Sequence, residues 1–366
     1  MGRALELARR GLGLASPNPM VGAVVVDASG AIAGEGWHEG PGTPHAERVA
    51  LTQAGTRAAG GTLYVTLEPC NHQGRTPPCA PAVVEAGITR VVASVADPNP
   101  SVAGGGFEIL RAAGLEVLTG VEAEPGARLI EAFAKSATQG MPWVTLKIAM
   151  SLDGRVAAAD GSSRWITGEE ARADGHRLRS EHDAIIVGAG TVIADDPSLT
   201  VRLAGYGGRQ PIRLMFDSAG RTPATAALFD GAAPTWIATT GRTPLETVEA
   251  WRAAGATVLA PGDATLDRDG RVPVGPILSA LAANDPPIRS ALLEGGPTLA
   301  WSAVRAGVVD RFVVYVAPKL IGGVGAPGAL GGDGVGSILD AVPVEIESID
   351  RIGRDIRIVA RPRKER

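Results

Sequence analysis

The chain is predicted to fold as two domains, residues 1–141 and 142–366, the first of them α/β, and three features of the sequence predict it. Across residues 1–141, short apolar runs alternate with helical segments in the order β-β-α-β-α-β, which implies a sheet crossed over by helices. Gln139-Gly140-Met141-Pro142 then interrupts the pattern with a glycine and a proline. Residues 143–150 restart it as a strand whose apolar side chains alternate with Thr145, Lys147 and Ala149.

Taken in order, residues 3–10 read as a helix with Leu5, Leu7 and Ala8 near one side, and Ser16-Pro17-Asn18-Pro19 turns the chain into a strand at 21–26. Asp27-Ala28-Ser29-Gly30 leads to a second strand ending at Trp37. Thr43-Pro44 reads as a helix start, with Thr as cap and Pro in the first turn, for a helix running to about Arg57. A buried-looking strand at 62–66 delivers Glu68, Pro69 and Cys70. A helix at 80–86 begins beside Cys79 and leads to a strand at 90–95 and the turn Asp97-Pro98-Asn99-Pro100. A helix at 106–113, a strand at 115–118 and a connecting helix at 124–138 complete the half.

In the second half, Lys147 within a strand costs energy unless it meets an anion or a rim, which makes it a functional candidate. A strand from Asp183 ends in Gly188-Ala189-Gly190-Thr191, but the third glycine and distal acidic residue of a dinucleotide fingerprint are missing. A strand at 290–293 runs into Glu294-Gly295-Gly296-Pro297-Thr298 and a helix. Glycines ahead of a helix, with Pro and Thr in its first turn, suit a pyrophosphate cradle of N–H groups and equally suit a tight turn.

The chemistry concentrates between Thr43 and Cys79. His45, Cys70 and Cys79 are three zinc-ligand types, and Glu47 lies two residues from the imidazole. Zinc deaminases hold the metal with one His and two Cys and move protons with a Glu that is not a ligand. Three protein ligands leave a fourth tetrahedral position for water, whose pKa the metal lowers to roughly 7. A lone His-x-Glu means little, and two cysteines also suit a disulfide or inert core thiols. These are, however, the only two cysteines in 366 residues, and both fall where such a site needs them.

Composition excludes several classes. Hydrophobic content of 45% supports proper cores, and no apolar run approaches the ~18 residues of a membrane span. No signal peptide is evident, and two thiols without an export signal point to a reducing cytoplasm. The closeness of Met1 to the first helix leaves open a start upstream. Residues 1–141 hold ten Lys/Arg against thirteen Asp/Glu, with Trp37, Tyr64, Phe107 and Phe133 as their aromatics. That balance lacks the basic stripe and stacking platform of a nucleic-acid binder.

Spacing narrows the deaminase. Most such sites close with Cys-x-x-Cys, whereas eight residues separate Cys70 from Cys79 here. Pro69-Cys70-Asn71-His72-x-Gly74-Arg75-Thr76-Pro77-Pro78-Cys79 resembles the riboflavin-pathway diaminohydroxyphosphoribosylaminopyrimidine deaminase, as do Pro17-Asn18-Pro19-x-Val21-Gly22, Gly34-x-Gly36-x-His38 and Asp97-Pro98-Asn99-Pro100. Where that family usually has Leu-Asn-x-x-Phe, this chain has Leu129-Ile130-x-x-Phe133. Downstream, Lys147-x-x-x-Ser151-Leu152-Asp153-Gly154, Trp165-Ile166-Thr167, Asp195-Asp196-Pro197-x-Leu199-Thr200-x-Arg202, Asp217-Ser218 and Glu294-Gly295-Gly296-Pro297-Thr298 resemble the riboflavin-pathway reductase domain. Nearly the whole chain thus resembles the bifunctional bacterial riboflavin biosynthesis deaminase–reductase family.

The resemblance implies a cytidine-deaminase-like three-layer α/β domain followed by a dihydrofolate-reductase-like α/β domain. It implies one Zn²⁺ per chain on His45, Cys70 and Cys79, with Glu47 as proton shuttle. Asn18 and the 97–100 loop would line the pyrimidine pocket, although Asn18 also suits a plain turn. His72 and Arg75 would touch the ligand, and His38 would either bind substrate or simply pack, with packing favoured. NADPH would contact Ala149, Trp165, Thr191, Asp195, Ser218, Gly296, Pro297 and Thr298, and substrate would contact Ser163, Arg179, Leu199, Arg202 and Glu294, with Lys147 nearby. Asp195 or Lys147 would assist the proton transfer of the reduction. Expected partners are a phosphorylated ribosylaminopyrimidine and further copies of the chain, as a dimer or tetramer, with no nucleic acid and no membrane. Two rival readings stand beside this one: a zinc staple with His72 as fourth ligand, and a deaminase of another base whose C-terminal domain binds without turnover.

Overall fold

Val24 and Val25 are both buried, yet they enter different cores, because successive side chains of a strand point to opposite faces. They belong to the first of two units in the computed structural model, which describes residues 1–73, 76–100, 102–259 and 266–363. Among these residues, 1–141 group with 285–289, and 142–284 group with the chain from 290 onward.

The first unit runs α1 (Gly2–Arg9), β1 (Gly22–Val26), β2 (Ile32–Trp37), α2 (Ala46–Ala54), β3 (Thr62–Leu67), α3 (Cys79–Glu85), β4 (Arg90–Val95), α4 (Gly105–Ala112), β5 (Glu116–Thr119), α5 (Ala123–Leu129) and α6 (Glu131–Gln139). Its strands lie in the order β2-β1-β3-β4-β5; β1 is antiparallel to both neighbours, and β3, β4 and β5 are parallel. Ala46, Ala50, Val83, Phe107 and Leu110 bring α2, α3 and α4 onto one face with Val25, while Ala4 and Leu7 of α1 cover Val24 on the other. The result is a three-layer α/β domain.

Glycines set how closely α2 approaches the sheet. A Cβ on Gly36 would meet the Ala46 carbonyl oxygen at 2.3 Å, and one on Gly34 would meet that of Ala50 at 2.1 Å. Only bare backbone fits there, so the start of α2 is pressed onto β2. The expected Thr43 cap is corrected: His45 occupies the cap position with extended backbone (φ −70°, ψ 157°), so the helix begins at Ala46. Thr43 Oγ1 instead donates to the Gly40 carbonyl at 2.8 Å. The helix also stops short of Arg57, at Ala54, because Gly55 takes φ +54° and a 3₁₀ turn, Gly55–Ala58, follows. The single connecting helix becomes α5 and α6, parted at Ile130, whose side chain is drawn into the core. Residues 285–289 also join this unit. Arg289 donates to the Pro17 carbonyl (Nε, 3.1 Å) and to Ser136 Oγ (Nη1, 2.7 Å), with its guanidinium 5.2 Å from the Phe133 ring centre.

The second unit comprises β6 (Trp143–Ser151), α7 (Glu169–Ser180), β7 (Ala184–Gly188), α8 (Ala189–Asp195), β8 (Ile212–Phe216), β9 (Thr235–Ala238), α9 (Leu245–Ala253), β10 (Thr257–Leu259), α10 (Val274–Ala282), β11 (Ser290–Leu293), α11 (Pro297–Arg305), β12 (Arg311–Ala317), β13 (Val344–Ile352) and β14 (Asp355–Pro362). Its sheet has the order β10-β9-β8-β7-β11-β6-β12-β14-β13. Strands β10 to β12 are parallel, and β14 and β13 add an antiparallel edge. The unbroken apolar runs of β7 and β11 are buried throughout, as strands with both faces covered must be. None of the described helices is long and apolar enough to cross a membrane.

Gly36→Ala is expected to destabilise the first unit by about 1–3 kcal/mol, the usual cost of overpacking. Gly175→Ala, where a Cβ meets nothing within 4 Å, is expected to be neutral or slightly stabilising. Thermal or urea unfolding of both variants checks the contrast.

Candidate active sites

Three elements each deliver one ligand to the first site: His45 from the cap of α2, Cys70 from just beyond β3, and Cys79 from the first position of α3. His45 Nδ1 lies 3.5 Å from Cys70 Sγ and 3.4 Å from Cys79 Sγ. Zinc bonds of about 2.0 Å to nitrogen and 2.3 Å to sulfur, at a tetrahedral angle, would set N and S about 3.5 Å apart. The donors therefore fit a zinc ion. His45 Nε2 lies 3.1 Å from Thr76 Oγ1, so a proton on Nε2 leaves the Nδ1 lone pair facing the thiols. Both cysteines are free. Hydrogen bonding from the Cys79 thiol holds the Cys70 thiol down against its burial, and the same shared proton pushes Cys79 up. Among the described residues His45, Cys70 and Cys79 form the ligand cluster, and His72, which is exposed, does not join it. That is the open arrangement, not the four-ligand staple.

Glu47 sits in the first turn of α2 and is almost wholly buried, which pushes its carboxyl up to about 7. His38 packs, as expected, and its contacts run towards the ligand. The Pro44 carbonyl can only accept, so His38 Nδ1 (3.2 Å) donates to it, and His38 Nε2 accepts from the Asn18 amide at 2.9 Å. The His38 ring also meets the His45 ring edge-on, 5.3 Å between centres. Arg75 lies outside the described residues.

Sequence reasoning missed Glu68. Its buried carboxylate accepts four backbone N–H groups: Asp97 (3.1 Å) and Gly104 (3.0 Å) on Oε2, Gly106 (2.9 Å) and Phe107 (3.2 Å) on Oε1. The signal was present, since a carboxylate ending a buried strand needs donors. Its partners lie 29 to 39 residues away and could not be read from spacing. Thr76 was missed for the same reason.

The second unit carries a cavity of about 990 Å³ along the carboxyl ends of β9, β8, β7, β11 and β6. All eight residues expected at the cofactor line it, together with Lys147, Ser163 and Glu294 from the substrate set. Register explains Lys147: Leu146 pairs with Leu293, so the next residues, Lys147 and Glu294, stand side by side. Lys147 Nζ lies 3.8 Å from Glu294 Oε2, while Arg179 grips Glu294 through Nε (2.6 Å) and Nη2 (3.0 Å). Burial alone would push Glu294 up, but the two cations outweigh it and hold the carboxyl at about 2. Arg179 is not a plain surface residue; its side chain is only 14% exposed and also donates to the Thr200 carbonyl at 3.1 Å.

Arg179, Leu199 and Arg202 lie off the cavity lining. Leu199 has φ +52° and a side chain inside the core with Ile185 and Met215, so only its backbone is available to a ligand. Arg202 is exposed, and among the described residues its guanidinium forms no ion pair. Asp196 is occupied instead by the Ala227 N–H at 2.7 Å. Ser163 Oγ reaches Asp195 Oδ1 at 3.4 Å, and Arg164 Nη2 donates to the Asp195 carbonyl at 2.5 Å.

Comparison with known proteins agrees over both units. Residues 1–95 match the cytidine and deoxycytidylate deaminase zinc-binding region, and residues 142–358 match the RibD C-terminal domain. The riboflavin biosynthesis protein RibD of Bacillus amyloliquefaciens is 45% identical over 364 residues, 99% of this chain and 95% of that protein. The RibD of Escherichia coli K12 is 41% identical, covering 97% of this chain and 96% of its own. The solved structure of Acinetobacter baumannii RibD superposes with a TM-score of 0.88 at 38% identity, over 99% of this chain and 98% of that one. The deaminase/reductase of Thermotoga maritima gives 0.85 at 34% identity, over 99% and 97%. With two family-specific sites on two matching folds over nearly its full length, the chain belongs to the RibD family of bifunctional riboflavin biosynthesis proteins.

Proposed function

We propose that the first unit hydrolyses the 2-amino group of 2,5-diamino-6-(5-phosphoribosylamino)pyrimidin-4-one, and that the second reduces the ribosyl chain of the product to ribityl. The observation that carries the first activity is a three-donor cluster on three converging elements, with a buried carboxylate two residues from one donor. One zinc ion per chain supplies the Lewis acidity that makes water nucleophilic near neutral pH. His45, Cys70 and Cys79 hold it. Glu47 takes a proton from water at a carboxylate oxygen and passes it to the departing 2-amino nitrogen. Thr76 and the Asn18–His38–Pro44 chain keep the His45 ring oriented, and Asn18, His72 and Arg75 receive the ribotide.

In the second unit NADPH supplies the hydride. Gly296, Pro297 and Thr298 offer the N-terminus of α11 to its pyrophosphate, while Ala149, Trp165, Thr191, Asp195 and Ser218 line the rest of its length. Lys147, Ser163 and Glu294 face the ribosyl chain, with Arg179 fixing Glu294 from behind, and Lys147 or Asp195 assists the proton transfer. Leu199 contributes its backbone. Arg202, with no carboxylate partner among the described residues, is reserved for the substrate phosphate, where a guanidinium makes a bidentate contact. We assign the enzyme to the cytoplasm, where thiols stay reduced. We also assign self-association as a dimer or tetramer, supported by the exposed Ile346, Ile349 and Ile356 on the edge hairpin of β13 and β14.

Incubating the purified protein with the diaminopyrimidine ribotide, with and without NADPH, tests the assignment by product mass. Deamination alone is expected without NADPH, and both steps with it. Cys70→Ser should lose zinc and deamination together; full metal retention would remove Cys70 from the ligand set. Glu47→Gln should keep zinc and slow deamination by roughly 10²–10⁴-fold.

Arg202→Ala should cut reductase kcat/KM by roughly 10–150-fold, the loss of one charge-assisted contact, and leave deamination unchanged. Lys there should rescue only part, since an ammonium lacks the planar fork. An unchanged substrate KM and kcat would take Arg202 out of the site.

A further inference from the structure

We infer that Arg242 and Arg271, with Arg221 beside them, bind the 2′-phosphate of NADPH and so select it over NADH. The inference rests on the assignment of the second cavity to NADPH, and adds the residues that read the one group by which the two cofactors differ.

Topology orders the cavity. Its lining passes from Lys147 and Ala149 on β6, through Gly296 beyond β11 and Gly188 at the end of β7, to Ser218 and Arg221 beyond β8 and Arg242 beyond β9. Those strands stand side by side as β9-β8-β7-β11-β6. Four strand spacings, about 19 Å, therefore separate the Lys147 end from the Arg242 end. The Lys147–Glu294–Arg179 cluster marks the reacting end, and the α11 N-terminus, near the middle, takes the pyrophosphate. What remains for the adenosine half is the end at β8 and β9. There NADPH carries a ribose phosphate monoester and NADH a bare hydroxyl.

That end is charged and braced. Among the described residues neither Arg221 nor Arg242 forms an ion pair. The Arg271 guanidinium pairs at 3.7 Å with the carboxylate of Asp269, which Arg305 already holds at 3.0 Å. Asp267 also lines the cavity, but its Oδ1 accepts the Asp269 (3.0 Å) and Arg271 (2.8 Å) N–H groups and so shapes the turn that presents Arg271.

Three segments are tied together around the arginines. Ser218 Oγ accepts the Val272 N–H at 3.0 Å, and Thr240 Oγ1 donates to the Ser218 carbonyl at 2.7 Å while accepting the Arg242 N–H at 3.2 Å. Buried Asp217 accepts the Ala219 (3.3 Å) and Thr222 (2.8 Å) N–H groups, bending the turn that carries Arg221. Gly270, at φ +70°, lets the turn pass under Arg242, where a Cβ would come within 3.2 Å of Nη2. Exposed arginines are usually solvated surface. These differ in converging on one end of one cavity, from three segments that hydrogen bonds hold in register. Guanidinium groups so placed match a phosphate monoester, which two of them can grip bidentately.

The test is equilibrium binding of NADPH, NADH, 2′,5′-ADP and 5′-AMP to the full-length protein, by calorimetry or nucleotide fluorescence. The parent is expected to favour NADPH over NADH and 2′,5′-ADP over 5′-AMP. Arg242→Gln with Arg271→Gln should weaken NADPH and 2′,5′-ADP by roughly 10–100-fold, leaving NADH and 5′-AMP unchanged. The unchanged NADH affinity reports an intact cavity. Raising salt should erode the preference of the parent and not that of the double variant. A double variant that keeps the parent's NADPH-to-NADH ratio, or loses both cofactors equally, overturns the inference. A parent that binds neither cofactor would instead overturn the assignment of the cavity, and the inference with it.

Discussion

Four backbone N–H groups converge on the carboxylate of Glu68, and the deaminase site depends on that convergence. A charge at the end of a buried strand is costly unless donors surround it. Here the donors are the first peptide of the 97–107 segment and the N-terminal turn of α4, whose N–H groups have no partner inside the helix. One interaction therefore satisfies the carboxylate, caps the helix and fixes a loop. Because Pro69 and Cys70 follow Glu68 directly, it also fixes the height at which one ligand leaves the sheet. The other two ligands obey similar constraints, His45 through the contact of α2 with Gly34 and Gly36, and Cys79 through its N–H bond to the Cys70 carbonyl at 3.1 Å.

The second unit solves the same problem with side chains. Glu294 also ends a buried strand, but Arg179 and Lys147 surround it in place of backbone N–H groups. A buried ion cluster of this kind is weak evidence for stability, because desolvation offsets most of the attraction. Its value is positional. The parallel register of β6 and β11 forces Lys147 beside Glu294, and Arg179 arrives from α7, so three elements fix one corner of the cavity.

Charge is handled locally throughout. The chain has a net charge of −4, while its substrate and cofactor are phosphorylated. Overall attraction is absent, so anions must be met by individual groups: a helix N-terminus at Gly296, exposed Arg202, and arginines gathered at the ends of β8 and β9. Among the described residues Arg202, Arg221 and Arg242 form no ion pair, and Arg271 meets Asp269 at 3.7 Å, a carboxylate that Arg305 already holds.

Much of this was legible in the residues. Strand–helix alternation gave the α/β class of the first half, because periodicity is local, and the family resemblance implied that of the second. Two cysteines separated by eight residues, one histidine and a glutamate two residues from it identified the metal chemistry, because ligand type is intrinsic to the side chain. Local spacing was less secure at helix ends, where Thr43 lost the cap to His45 and Ile130 broke the connecting helix to enter the core. Only the tertiary structure decided that His72 stays out of the ligand cluster, that Thr76 orients His45, and that Arg179 meets Glu294, 115 residues away. It also decided that Arg289 packs with Pro17 and Ser136 in the first unit. The physical reason is the same in each case. A side chain carries its chemistry with it, but which buried charge it must satisfy depends on strand register and on where distant turns bring the backbone.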